Sequence, residues 1–127
     1  MRELNYLLLS VSNPTESAKL YTQLLGREPV NASQTFVLYV LENGVRVGLW
    51  LRDEIQPAPK PAGGVEISFS EPSREAVLKT YEDWKQLGVQ VVQAPTDMDF
   101  GRTFVALDPD GHRLRVYWPN DAGEQTT

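Results

Sequence analysis

At 127 residues the chain has the length of one domain with room for a hydrophobic core. Its 41% apolar and 23% charged residues are ordinary for a globular protein, and a net charge of -5 argues against binding nucleic acid or an anionic membrane surface. The absence of cysteine excludes disulfides, thiolate catalysis and cysteine metal sites, and a single histidine, His112, excludes a histidine-rich transition-metal site within one chain. Leu7-Leu8-Leu9, preceded by Glu3, is too short for a secretory signal, and no stretch has the length of a membrane span. The expected compartment is the cytoplasm.

Residues 4–11 read as an apolar strand, with Tyr6, Leu8 and Ser10 on one face and Leu7, Leu9 and Val11 on the other. Asn13 is a good N-cap, Pro14 suits the first helical position, and Glu16 suits the positive end of the helix dipole. Ala18, Tyr21 and Leu25, widened by Leu20 and Leu24, form a stripe that packs on a sheet, and Gly26 is placed to end the helix. Residues 29–32 read as a short edge strand and residues 35–41 as a β-branched and aromatic strand, in which the alternation leaves the face of Tyr39 open. Asn43-Gly44 predicts a type I′ hairpin turn. The strand 45–51 returns with Arg46, Gly48 and Trp50 on one face and Val45, Val47, Leu49 and Leu51 on the other.

Pro57, Pro59, Pro61 and Gly63-Gly64 mark residues 53–64 as a linker. The pattern then restarts. In the strand 65–70, Glu66, Ser68 and Ser70 face away from Val65, Ile67 and Phe69. A second helix follows over residues 73–87, with a stripe of Val77, Tyr81, Trp84 and Leu87, and Gly88 at its end. Residues 89–93 read as a strand and 94–99 as a loop. Residues 103–107 and 113–117 form a hairpin around Asp108-Pro109-Asp110-Gly111, with Arg113, Arg115 and Tyr117 opposite Leu114, Val116 and Trp118.

The order strand, helix, strand, strand, strand thus occurs twice. The predicted class is α+β: two βαβββ modules, residues 4–52 and 65–119, in one domain over 1–127 with a polar tail at 120–127. The modules are expected to form a curved mixed sheet around a ligand trough, with helices on the outer face. Trp50 offers that trough a stacking surface for a planar ring, with Gly48 leaving space beside it. Tyr6 and Tyr117 are further walls or ordinary half-buried strand tyrosines, and Tyr39 is a weaker candidate. Ser68 and Ser10 supply adaptable hydrogen-bonding groups. Tyr21, Tyr81 and Trp84 read as core, Phe100 as packing beside the hairpin, and His112 as turn chemistry.

The segments VSNPTESAKLYTQLLG, LGVQVVQAPTDMDFGRTF and DPDGHRLRV resemble the vicinal oxygen chelate superfamily, the glyoxalase/bleomycin-resistance/dioxygenase fold, over nearly the whole chain. In metal-dependent members the ligands come from the first and last strand of each module, and the resemblance puts Tyr6, Gly48, Glu66 and Arg115 there. Only Glu66 suits a cation, so the chain is similar to the metal-free branch that sequesters antibiotics, such as bleomycin-binding and phenazine-resistance proteins. That resemblance implies no cofactor or metal and a small-molecule or peptide antibiotic with planar aromatic groups as partner. It also implies a homodimer, module-swapped or not. Glu66 and Arg115 would then pair with each other or with the ligand. The alternatives are a glyoxalase-like lyase or dioxygenase, a metal-free isomerase using Glu66 as base, and a module whose trough holds a protein segment.

Overall fold

The computed structural model describes residues 2–120, so all but the first residue of the expected polar tail at 120–127 lies outside the described residues. The chain divides into two compact units within the proline-rich stretch, after Pro61. Each is a βαβββ module with a four-stranded mixed sheet, and the class is α+β as expected.

The first module contains β1 (Tyr6–Val11), α1 (Pro14–Leu25), β2 (Asn31–Ala32), β3 (Phe36–Val40) and β4 (Arg46–Leu51), in the sheet order β1-β4-β3-β2. β1 runs parallel to β4, a pairing that needs a long crossover, and α1 forms part of it. The start of α1 is set locally: the Asn13 side chain accepts a bond from the Glu16 N–H, and Pro14 opens the first turn. Gly26 ends it at φ 65°, donating its N–H to the Thr22 carbonyl. The buried side of α1, including Ser17 and Tyr21, covers Val11, Val37, Tyr39, Val47 and Leu49, all buried. Each large apolar side chain in that set contributes about 1.5–3 kcal/mol by leaving water.

The second module repeats the plan with β5 (Glu66–Ser70), α2 (Arg74–Gln86), β6 (Gln90–Met98), β7 (Gly101–Leu107) and β8 (Arg113–Pro119), in the order β5-β8-β7-β6. Ser73 caps α2 by accepting the Ala76 N–H. Its core is aromatic: Phe104 meets Trp84 and Tyr81 edge-on at 5.3 and 5.4 Å, and Trp84 meets Phe69 at 5.8 Å. Leu114, Val116 and Ala106 complete it.

Five local expectations are corrected. The turn after β3 is not type I′, because its only left-handed residue is Gly44 (φ 89°). The Gly44 N–H bonds the Leu41 carbonyl and the Leu41 N–H bonds Val45, which makes a type I turn followed by a left-handed glycine. Asp108 to His112 repeats that arrangement with Gly111. Residues 94–99 are not simply a loop, since β6 runs to Met98 through two register irregularities. Pro95 is tolerated there because β6 is an edge strand. Leu87 is the cap residue beyond α2 and is 44% exposed rather than core. Asn120, expected in the tail, donates its backbone N–H to the Phe100 carbonyl.

The fifth concerns the site. Tyr39 pairs with Val47, so it lies on the helix-covered face and is fully buried. Its hydroxyl meets Thr22 Oγ1 at 2.9 Å and donates to the Ala18 carbonyl, and burial pushes the phenol above its ordinary pKa. Tyr39 therefore pins α1 to its sheet and lines no ligand surface. Tyr39→Phe is expected to lower stability by about 1 kcal/mol in urea unfolding; unchanged stability would show that the phenol bonds contribute nothing.

Candidate functional site

Strand alternation and register decide which side chains share the face of each sheet that the helix does not cover. In the first module, β1 and β3 flank β4. Tyr6 and Val40 lie beside Arg46, Leu8 and Leu38 beside Gly48, and Ser10 and Phe36 beside Trp50. Tyr6, Gly48 and Trp50 are thus brought to one face as expected. Phe36 and Leu38 join them, unassigned beforehand because every residue from 36 to 40 is apolar. The 41–45 turn carried the signal: placing Leu41 opposite Val45 puts Tyr39 opposite Val47 and Phe36 opposite Trp50.

Gly48 does not leave a ring-sized space. A Cβ built there would lie 2.8 Å from Leu8 Cδ1 and 3.0–3.1 Å from the Phe36 ring, so those two side chains already cover it. The expectation of an open socket is corrected: the first module offers an apolar floor of Leu8 and Phe36 beside a half-buried Trp50.

The same face of the second module is ionic. Glu66 lies beside Arg113, Ser68 beside Arg115 and Ser70 beside Tyr117, with Thr103 and Val105 on the other side of β8. Arg115 binds Glu66 with two bonds, Nε to Oε1 at 2.7 Å and Nη2 to Oε2 at 3.0 Å. Its Nη1 donates to Thr103 Oγ1 at 3.1 Å. Arg113, not among the expected site residues, donates from Nε to Glu66 Oε2 at 2.9 Å. The Arg115 guanidinium also lies 5.9 Å from the centre of the Phe100 ring, which meets Tyr117 edge-on at 6.2 Å. Glu66, Arg115 and Tyr117 are therefore brought together, with Phe100 added, while Ser68 stays exposed on the β5 edge strand.

The residues that the resemblance puts at metal-ligand positions do not suit a divalent ion in either module. Both Glu66 oxygens already accept from guanidinium groups, Gly48 has no side chain, and Tyr6 is a poor ligand while protonated. A cation within about 4 Å of Arg115 would meet direct repulsion. Among the described residues no group of three or more histidine, cysteine or acidic side chains could hold a metal. A separate cleft of about 420 Å³ opens at the start of α1, lined by Asn13, Pro14, Glu16, Gln34, Thr35 and Leu51, and it contains none of the expected site residues.

Hydrogen bonds from Arg115, then Arg113, hold the Glu66 carboxyl at about 2 against an ordinary 4.5. A depressed acid stabilises the fold fully above the unfolded value and loses that contribution as pH falls towards the folded one. The stability advantage of the protein over Glu66→Gln, from urea unfolding, is therefore expected to be constant above about pH 4.5 and to shrink between 4.5 and 2. An advantage independent of pH across that window would contradict the ion-paired state.

Comparison with known proteins agrees with this fold. Residues 3–116 match the family model of the Glyoxalase/Bleomycin resistance protein/Dioxygenase superfamily. A phenazine antibiotic resistance protein from Enterobacter agglomerans is 31% identical over 115 residues, 88% of each chain. A protein from Agrobacterium tumefaciens with a solution NMR structure is 43% identical, with a TM-score of 0.87 over 94% of this chain and 99% of that one. A glyoxalase-related enzyme from Fulvimarina pelagi shares the fold alone, at 19% identity and a TM-score of 0.82 over 93% of this chain and 88% of that one. The chain belongs to the glyoxalase/bleomycin resistance protein/dioxygenase superfamily.

Proposed function

We propose that this protein binds a planar aromatic antibiotic, of phenazine, quinoline or quinoxaline type or a peptide bearing such a ring, and protects its host by sequestering it unchanged. What supports the reading is the chemistry of the residues that the resemblance assigns to the family's metal positions. In the first module these are Tyr6 and Gly48, and in the second an arginine-locked Glu66–Arg115 pair, while Trp50 and Tyr117 hold equivalent places at the ends of β4 and β8. Aromatic rings beside a few polar groups suit stacking and orientation of a flat ligand. Similarity to a phenazine antibiotic resistance protein supports the same ligand class.

The isomerase alternative asks Glu66 to act as a base. A carboxylate held at about 2 by two guanidinium groups is a weak base at neutral pH, which favours binding over proton abstraction. The proposal includes a cytoplasmic homodimer, module-swapped or not, as the acting form.

Titration with phenazine while following tryptophan fluorescence tests the reading. Saturable quenching is expected, and Trp50→Ala should weaken binding about tenfold. Trp84, buried among Phe69 and Phe104, provides signal that the ligand does not reach. Absence of any fluorescence response to planar heteroaromatic compounds would contradict the proposal.

A further inference from the structure

We propose that Arg113, set against the Glu66–Arg115 pair, is a carboxylate-recognition group, so that the aromatic ligand of this protein is an acid. The proposal rests on the aromatic-binding reading above and narrows it to one chemical class.

Two guanidinium groups share one carboxylate on the helix-free face of the second module, so the cluster keeps one uncompensated positive charge. The chain as a whole carries -5, so it has no general field to draw anions in. A ligand carboxylate would bring the cluster to two cations and two anions.

Donor geometry separates the two arginines. Arg115 is committed: Nε and Nη2 bind Glu66, and Nη1 reaches Thr103 Oγ1 and, at 3.5 Å, Gln93 Oε1. Its side chain is only 18% exposed. Arg113 places Nε and Nη2 on the single oxygen Oε2 of Glu66, at 2.9 and 2.7 Å, and its side chain is 36% exposed. Its Nη1 has no partner among the described residues. A guanidinium with an unused planar edge, held in place by its other edge, is preorganised for a second carboxylate.

The aromatic surface lies on the same face. Arg113, Arg115 and Tyr117 alternate along β8, so neighbours in that row are about 7 Å apart. Arg113 is two such steps, about 13 Å, from Tyr117, so a fused ring system laid along the strand from Phe100 and Tyr117 over Arg115 directs its acid group to Arg113. The competing explanation is that Arg113 only clips β8 to β5, which would affect stability without affecting ligand choice.

Calorimetric titration of the full protein with phenazine and with its monocarboxylate distinguishes these. The acid is expected to bind about tenfold more tightly than the neutral ring, in line with a charge-assisted hydrogen bond. Arg113→Gln should bring that ratio towards one. Glu66→Gln removes the competing carboxylate and should raise the ratio, the opposite sign from a merely structural loss. Equal affinity for the two compounds would overturn the inference and leave the aromatic-binding reading intact. Binding of neither would remove both. An Arg113→Gln variant that weakens both ligands alike, with the ratio preserved, would assign Arg113 to structure and overturn the inference.

Discussion

One helix covers one face of each four-stranded sheet, and every other feature of this protein depends on that asymmetry. The parallel pairing of the first and last strand in each module commits alternate residues of β4 and β8 to opposite environments. Val47, Leu49, Leu114 and Val116 go beneath a helix and are buried. Gly48, Trp50, Arg113, Arg115 and Tyr117 go to the other side. A slip of one residue would exchange the two sets, so the hydrophobic core holds the candidate site in register.

Equivalent backbones carry different chemistry in the two modules. Tyr6 answers Glu66, Leu8 answers Ser68, Gly48 answers Arg115, and Phe36 answers Thr103. At the centre of the first module the missing side chain of Gly48 lets Leu8 and Phe36 close over the strand, giving an apolar surface. At the centre of the second, a long guanidinium reaches Glu66 on one side and Thr103 on the other, giving an ionic one. Side-chain size at a single register position thus decides whether neighbours fill the space or are bridged. This divergence leaves an aromatic surface in one module and a charged aromatic surface in the other.

Features set within a few residues were legible in the sequence. Asn13, Ser73, Gly26 and Gly88 mark their helix ends because caps are local, and the alternation in β1, β4, β5 and β8 gives their faces directly. The face of Tyr39 was not legible by alternation, since Phe36-Val37-Leu38-Tyr39-Val40 is apolar at every position and only pairing with β4 separates its two sides. The extension of β6 past Gln93 was hidden by Pro95, whose tolerance depends on an edge position that only the sheet order reveals. Arg113 was visible on the face of Arg115, but its bond to Glu66 joins residues 47 apart and follows from the β5·β8 register. The filling of Gly48 was likewise a three-strand property, beyond any single strand's pattern.

The central claim is that this member of the superfamily holds its ligand and does not transform it. Equilibrium dialysis of chelator-treated protein against phenazine monocarboxylate, with recovery and mass analysis of the bound compound, tests that claim most directly. The account predicts saturable, stoichiometric binding without added metal and recovery of the compound unchanged. A recovered product of altered mass, or binding that appears only when a divalent metal is restored, would contradict it.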